Sequence, residues 1–182
     1  MKTIITASII TIVTLTYLCF GEPENSDTAK IDREIRKIIR IPSGDIPASD
    51  LADVRRLTVA NEGMVDIERI SDLSGVEDLN LNGNRITDVG PVAKLGELII
   101  LDLGNNQISD LSPLKNLHAL NYLNLDKNHV ESLAPLVNLQ SLTGLILSGN
   151  KISDITPLLK MKSLRNLNLK GNPVSKGELN RL

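Results

Sequence analysis

The segment at residues 79–100 reads LNLNGNRITDVGPVAKLGELII, and residues 101–122 follow with LDLGNNQISDLSPLKNLHALNY. Both segments begin with leucine, a polar residue and leucine. Both then place an asparagine, an aliphatic residue, an aspartate and a proline in the same order. The asparagine recurs every 22 residues, at Asn84, Asn106, Asn128, Asn150 and Asn172. A fixed period of this length predicts a solenoid in which each repeat forms one turn.

Each column of the repeat has a physical interpretation. In the L-x-L element the leucines point inward and the residue between them faces solvent, so successive elements pair into a parallel sheet. The chain must then reverse direction, which leaves backbone donors and acceptors in a dry interior. An asparagine amide offers both a donor and an acceptor to these groups. We therefore interpret the five asparagines as a structural ladder, and the prolines as residues of the irregular far side, where an N–H can be spared.

A less regular copy precedes these turns. Its apolar residues keep their columns from Leu57 to Val76, but Glu62 takes the place of the asparagine and Arg69 that of the proline. Such departures are expected in a terminal repeat, which has a neighbour on one side only. In all, the chain carries about five and a half turns.

The pattern L-x-x-L-x-L-x-x-N-x-I-x-D-L-x-P-L-x-x-L-x-x resembles the leucine-rich repeat, in the 22-residue form of the bacterial internalins. The resemblance extends from about Ile31 to Leu182. It implies an α/β solenoid: a leucine-rich repeat arc with short parallel β-strands on the concave face, a 3-10 or irregular convex side and a helical N-terminal cap. We assign residues 31–56 to that cap, 57–175 to the repeats and 176–182 to a C-terminal cap remnant.

The two ends of an open stack need capping. Upstream, Asp27 or Thr28 is expected to cap a helix whose isoleucines have helical spacing, after a linker at residues 22–30. Residues 41–44 end this helix, and a second short helix is expected at 47–54. Downstream, residues 176–182 break the repeat columns and predict a short capping helix that uses Leu179 and Leu182.

The first residues resemble an export signal. Lys2 precedes an uncharged run at residues 3–20, and a cut after Gly21 gives a signal peptide at residues 1–21. Two alternatives stay open: acylation of Cys19 in a lipoprotein, and an uncleaved membrane anchor. All three place the protein outside the cytoplasm, either secreted, periplasmic or in the cell envelope. The chain contains a single cysteine, so the processed form has no disulfide and no thiolate site.

No catalytic, metal or cofactor site is predicted. His118 and His129 lie in different columns without a partner at metal spacing, and we expect both on the surface. An aspartate column at Asp66, Asp88, Asp110 and Asp154 favours hydrogen bonding within turns over calcium binding. A net charge of −2 and an aromatic content of 2% argue against nucleic acid as a partner. We expect a monomeric, non-enzymatic protein.

The solvent-facing strand positions remain for function, since the fold does not dictate their side chains. Most are small or polar, but Ile100, Tyr122 and Ile146 form a predicted apolar spot, and tyrosine is favoured at binding hot spots. The predicted site for a protein or peptide ligand comprises Ile100, Asp102, Tyr122, Asn124, Asp126 and Ile146. The alternative is a structural role in the cell envelope, with the repeats as a spacer anchored through Cys19.

Overall fold

Six three-residue strands form one parallel sheet, in a computed structural model that describes residues 24–181. The predicted signal peptide with Cys19, and Leu182, lie outside the described residues. The strands lie in sequence order, and each pairs with the next in a register 22 residues apart, as Leu101 does with Leu123. They are β1 (Arg56–Thr58), β2 (Asp78–Asn80), β3 (Ile100–Asp102), β4 (Tyr122–Asn124), β5 (Gly144–Ile146) and β6 (Asn166–Asn168). The predicted parallel sheet of the solenoid is confirmed.

The convex side is built from 3-10 helices, as predicted. Four of them have a proline in their first turn, where its fixed φ suits the backbone and its missing N–H removes no hydrogen bond. The first has Arg69 there instead of proline. The 3-10 helices span Glu68–Asp72, Gly90–Lys94, Ser112–Asn116, Ala134–Leu136 and Thr156–Lys160.

The aspartate column starts these convex turns. Asp88 Oδ1 accepts the N–H of Gly90 at 2.7 Å, and Asp110 Oδ1 accepts that of Ser112 at 2.8 Å. Asp66 and Asp154 make the same contact, to Glu68 and Thr156. Hydrogen bonds from the side chain and backbone of Ser112 lower the pKa of Asp110 below its ordinary value. These carboxylates therefore serve their own turns, as the sequence favoured.

The interior is aliphatic throughout. The inward leucines of β2 to β5 are fully buried, and the isoleucine, valine and leucine columns of the turns pack against them. Burying one such side chain stabilises a protein by about 1.5–3 kcal/mol. In the last turn, by contrast, Leu164, Leu167 and Leu169 are only partly buried.

The ladder asparagines join each turn to the one before it. Asn128 is 3% exposed; its Oδ1 accepts the N–H of Ile108, and its Nδ2 donates to the carbonyl of Leu103. The same Nδ2 also donates to Leu125 and Asp126 in its own turn. Asn84, Asn106, Asn150 and Asn172 repeat this arrangement. Each asparagine thus accepts from a backbone N–H of the preceding turn that would otherwise lack an acceptor, and it adds a donor to carbonyls of both turns.

The N-terminal cap begins earlier than predicted. Helix α1 spans Asp27–Ile39 and starts inside the segment expected to be a linker. Its N-cap is Ser26, whose Oγ accepts the N–H of Ala29 at 3.0 Å, so the expected cap at Asp27 or Thr28 is wrong. Serine is an equally good cap, and the helical spacing of the isoleucines does not distinguish adjacent start positions. Helix α2 (Ala48–Ala52) follows, within the expected range.

The irregular residues of the first turn attach it to α1. Arg69, which replaces the proline, donates to Asp32 Oδ1 at 2.7 Å, and Glu62, which replaces the asparagine, accepts from Arg33 at 2.8 Å. Asp27 Oδ2 accepts the backbone N–H groups of Val65 and Asp66 at 2.8 and 2.9 Å. The cap is therefore held by polar contacts around the buried Ile31 and Ile35.

At the other end, helix α3 (Lys176–Leu179) forms as expected. It has no buried residue, however, and Leu179 is 44% exposed, so Leu179 does not cover the end of the core. The expected capping use of Leu179 is wrong because the helix is only four residues long.

Candidate binding surface on the concave face

The strand register brings the predicted site residues onto one face. Ile100 pairs with Tyr122 and Tyr122 with Gly144, while Asn124 lies between Asp102 and Ile146 in the next column. Their neighbours in the strands are inward leucines, so these side chains share the outer side of β3 to β5. Asp126 follows β4 by two residues.

Tyr122 lies against the neighbouring strand instead of projecting freely from it. The residue is half-buried, and a Cβ added to Gly144 would lie 2.7 Å from Tyr122 Cδ2. Glycine at position 144 therefore makes room for the ring, which in turn buries the glycine. The strand alternation predicted only that Tyr122 faces outward. It could not show that the ring lies over Gly144 of the neighbouring strand. The Tyr122 hydroxyl has no hydrogen-bond partner among residues 24–181.

Gly144→Ala is expected to displace the Tyr122 ring at a cost of about 1 kcal/mol in unfolding free energy, because the added methyl group occupies the position of the ring. The near-ultraviolet circular dichroism of the tyrosine reports its packing, and urea unfolding reports the cost. Gly96→Ala is the matched control, since a Cβ there meets nothing within 4 Å. An unchanged tyrosine signal in Gly144→Ala would contradict this packing.

The polar residues of the site are already engaged with one another. Asp102 Oδ1 accepts three hydrogen bonds: from Asn82 Nδ2 and Asn124 Nδ2, both at 3.0 Å, and from the Gly104 N–H at 2.9 Å. A Cβ at Gly104 would lie 2.6 Å from the Asn82 amide, so glycine allows this convergence. Asp126 is similarly bonded to Ser148. These carboxylates thus organise the surface as well as line it.

In four of the strands, the side chain of the last residue makes a contact to the backbone that the sequence did not predict. Asn80, Asp102, Asn124 and Asn168 each accept the N–H two residues further along, in an Asx-type turn that ends the strand. Ile146 occupies the same column and lacks an acceptor side chain. An isoleucine therefore replaces a structurally useful polar residue next to Tyr122. The polar residues that recur at this column are the signal that could have revealed it.

A further exposed isoleucine adjoins the site. Ile99 is 42% exposed and Ile100 is 40% exposed, and the carbonyl of Ile99 accepts the N–H of Tyr122. The residues at this position in the other turns are all polar: Arg55, Glu77, Asn121, Thr143 and Arg165. Ile99 therefore departs from the repeat, although the sequence alone did not single it out. We call Ile100, Tyr122 and Ile146, which share the outer face of β3 to β5, the apolar patch.

The remaining chemistry of residues 24–181 is sparse. Both His118 and His129 are exposed, as predicted, and no cluster of metal-binding side chains occurs within the described range. Within that range there is also no helix with the length and apolar character needed to span a membrane.

Comparison with known proteins agrees with the repeat geometry. A sequence model described as Leucine Rich repeats (2 copies) matches residues 74–116, 96–138 and 140–177. The chain belongs to the leucine-rich repeat family. No curated protein sequence matches this leucine-rich repeat protein as a relative.

Two solved structures show the type of leucine-rich repeat. An internalin (inlF) from Listeria monocytogenes is 32% identical, with a TM-score of 0.80, over 87% of this chain and 48% of the internalin. A leucine-rich repeat protein of Leptospira interrogans is 26% identical, with a TM-score of 0.68, over 75% of this chain and 37% of that protein. The chain thus spans about half or less of the length of these proteins. It is an internalin-like leucine-rich repeat protein, and proteins of this fold generally act as protein-interaction modules.

Proposed function

We propose that this protein is an exported, non-enzymatic interaction module that binds a protein or peptide ligand on its concave face. The observation that carries the proposal is the apolar patch, which interrupts an otherwise polar, hydrogen-bonded surface. Isolated surface isoleucines need no explanation, but contiguous exposed apolar residues rimmed by polar ones mark interaction sites.

The patch is suited to binding because its central ring is held in place. Tyr122 rests on Gly144, so little rotamer freedom is lost when a ligand covers it. Its hydroxyl remains available for a hydrogen bond to the ligand. Tyrosine anchors that combine apolar area with one polar atom are enriched among residues that dominate binding energy.

The polar rim defines what the ligand must offer. Within the described residues, Asp102 Oδ2 accepts no hydrogen bond, although Oδ1 accepts three. A ligand donor opposite Asp102 Oδ2 would therefore find an acceptor already fixed in position. The ligand that fits is a protein or peptide segment with an apolar side chain next to an N–H or basic donor.

Replacing Tyr122→Ala together with Ile100→Ser is expected to weaken ligand binding by at least tenfold, because buried apolar anchors contribute about 2 kcal/mol or more each. Ligands captured from extracts by the intact protein provide the probe, and titration calorimetry gives the affinity. Val65→Ser, at an exposed valine of the first turn, is the control. Unchanged affinity in a normally folded double variant would rule out the patch as the site.

Export rests on residues 1–21 and is tested by the mass of the processed protein. Cleavage after Gly21 is expected to leave an unmodified N-terminus at Glu22. Acylated Cys19 at the N-terminus would instead favour the envelope-anchored form, and an intact Met1 in exported material would favour the uncleaved anchor. Intact-protein mass spectrometry distinguishes these three products.

A further inference from the structure

A line of three carboxylates crosses the concave face beside the apolar patch. Asp78, Asp102 and Asp126 are spaced by 24 residues, two more than the repeat. Each therefore lies one strand further along the sheet and two residues further along its own turn. Adjacent strands are about 4.8 Å apart and two extended residues span about 6.6 Å, so consecutive carboxylates lie roughly 8 Å apart. The three acids form a diagonal from β2 to the end of β4.

The apolar patch lies on one side of this diagonal. Ile100 pairs with Asp78, and Tyr122 lies one strand beyond Ile100. Ile146 lies two strands beyond Asp102 in register. Each apolar residue is thus displaced from the line of carboxylates in the same direction, towards β5. A boundary between acidic and apolar side chains therefore runs diagonally across the sheet.

Each of these carboxylates retains an oxygen for a ligand. The side-chain hydrogen bonds of Asp102 and Asp126 use Oδ1, and neither Oδ2 accepts a hydrogen bond within residues 24–181. Asp78 accepts none in the same range, and its ion pair with Arg56 Nε is 4.0 Å long. The Arg56 side chain is 85% exposed, so a ligand cation can readily replace it.

The charge of this part of the face is uniformly negative. The outward positions of β2 to β5, and the outward position that follows each strand, hold the three acids and no base. Lys127 comes directly after Asp126, but its side chain lies against Gly149 of the next turn. Carboxylates roughly 8 Å apart are too distant to share one metal ion, whose oxygen ligands lie within about 2.6 Å of it. Their charge is instead complementary to a basic partner.

We infer that the ligand of the concave face is an extended basic segment of another protein, in which lysine or arginine alternates with apolar residues. The inference rests on the proposed function, because it names the ligand of the same patch. Side chains of an extended chain point alternately to opposite sides and recur on one side about every 6.6 Å. Along the boundary, such a segment presents basic side chains to the carboxylates and apolar ones to the patch. The flexible stem of lysine accommodates the difference from roughly 8 Å.

Charge argues against a second copy of this chain as the occupant. Two copies that met through their concave faces would bring like charges together, which opposes association. An acidic segment is disfavoured for the same reason. The diagonal also makes the order of residues matter: if the basic residues were grouped together, half of them would lie over the patch and lose their acidic partners.

The test uses a fluorescent ten-residue peptide in which lysine alternates with valine, titrated into the protein at low salt. We expect saturable binding by anisotropy and shifted ring resonances of Tyr122 by NMR. Asp78→Asn with Asp126→Asn is expected to weaken binding about fivefold or more, because two charge pairs are lost. Both changes preserve side-chain size, and an asparagine at position 126 can still accept from Ser148. Asp102 is left unchanged because it holds two neighbouring asparagines in place.

Matched controls separate the pattern from general electrostatics. Glu97→Gln with Glu131→Gln removes the same charge from exposed residues outside the strands and is expected to leave the affinity within about twofold. A peptide with glutamate for lysine is expected not to bind. A peptide of the same composition, with its lysines grouped in one half, is expected to bind at least fivefold more weakly.

The inference is overturned if the alternating peptide does not bind, if the grouped peptide binds as tightly, or if the control variant loses affinity equally. Unchanged binding of the alternating peptide to the variant with Tyr122→Ala and Ile100→Ser also overturns it, since the peptide would then lie elsewhere. The proposed function is tested separately, because that variant is also titrated with ligands captured from extracts. A captured ligand that needs the patch but competes with no basic peptide would sustain the proposed function and overturn only this inference.

Discussion

Asn128→Ala is expected to lower the free energy of unfolding by about 2–4 kcal/mol, more than any other single change considered for this protein. Removing the amide leaves the buried N–H of Ile108 without its acceptor. It also takes one donor from each of the carbonyls of Leu103, Leu125 and Asp126, which keep one other donor each. Water cannot readily replace the amide, because Asn128 is 3% exposed. Urea denaturation followed by far-ultraviolet circular dichroism measures the loss.

Two companion variants separate the ladder from general effects of asparagine. Asn128→Asp keeps an acceptor for Ile108 but loses the donors and buries a charge, so it is expected to be destabilised as well. Asn138→Ala changes an exposed asparagine of the convex side and is expected to stay within about 0.5 kcal/mol of the wild type. Equal costs for Asn128→Ala and Asn138→Ala would show that the ladder does not stabilise the fold.

Asp27→Ala is expected to cost about 2 kcal/mol at neutral pH, because the carboxylate joins α1 to the first turn through charge-assisted hydrogen bonds. Its Oδ2 accepts the N–H groups of Val65 and Asp66, and its Oδ1 accepts from Lys30 at 3.0 Å. Urea denaturation of wild type and variant gives the difference. Asp50→Ala, at the second cap helix, is the control.

The contribution of Asp27 should also depend on pH. Partial burial raises the pKa of this carboxyl, but hydrogen bonds from Asp66, Val65 and Lys30 outweigh that effect and lower the pKa below its ordinary value of 3.8. The stabilisation is therefore fully present above about pH 3.8 and is lost as the pH falls through the lowered pKa. The stability difference between wild type and Asp27→Asn should shrink over that acid range. A constant difference would mean that the charge of Asp27 does not stabilise the cap.

Most of the architecture could be predicted from the sequence because the sequence is repetitive. In a solenoid each turn contacts only its neighbours, so a spacing of 22 residues in the sequence is also the register of the sheet. The L-x-L columns therefore placed all the inward leucines. The proline column likewise marked the convex 3-10 helices, because proline is tolerated in a first helical turn.

Predictions were weakest where the period ends. The contacts of Glu62 with Arg33 and of Arg69 with Asp32 join the first turn to a helix that precedes the repeats. No column relates these residues, so Glu62 and Arg69 appeared only as departures from the pattern. The same reason accounts for the error at the start of α1, where Ser26 and not Asp27 is the N-cap.

The candidate site was predicted in outline, because the alternation of the strands identified which residues face outward. The direction in which each side chain lies on that face was not predictable. Tyr122 rests on Gly144, and Asp102 gathers Asn82 and Asn124 around one oxygen. Both arrangements depend on side-chain conformations of neighbouring turns, which the repeat leaves unconstrained.

The few aromatic residues and the abundant leucine followed from the repeat itself, since a narrow coil of stacked identical turns is filled by mid-sized aliphatic side chains. The sequence alone determined this composition of the core, because residues that are one repeat apart in the chain are also neighbours in the folded solenoid. Two features emerged only from the folded chain: the polar attachment of α1 and the ring of Tyr122 laid over the next strand. Each depends on how non-equivalent residues meet in space, and a repeat pattern records only what its turns have in common.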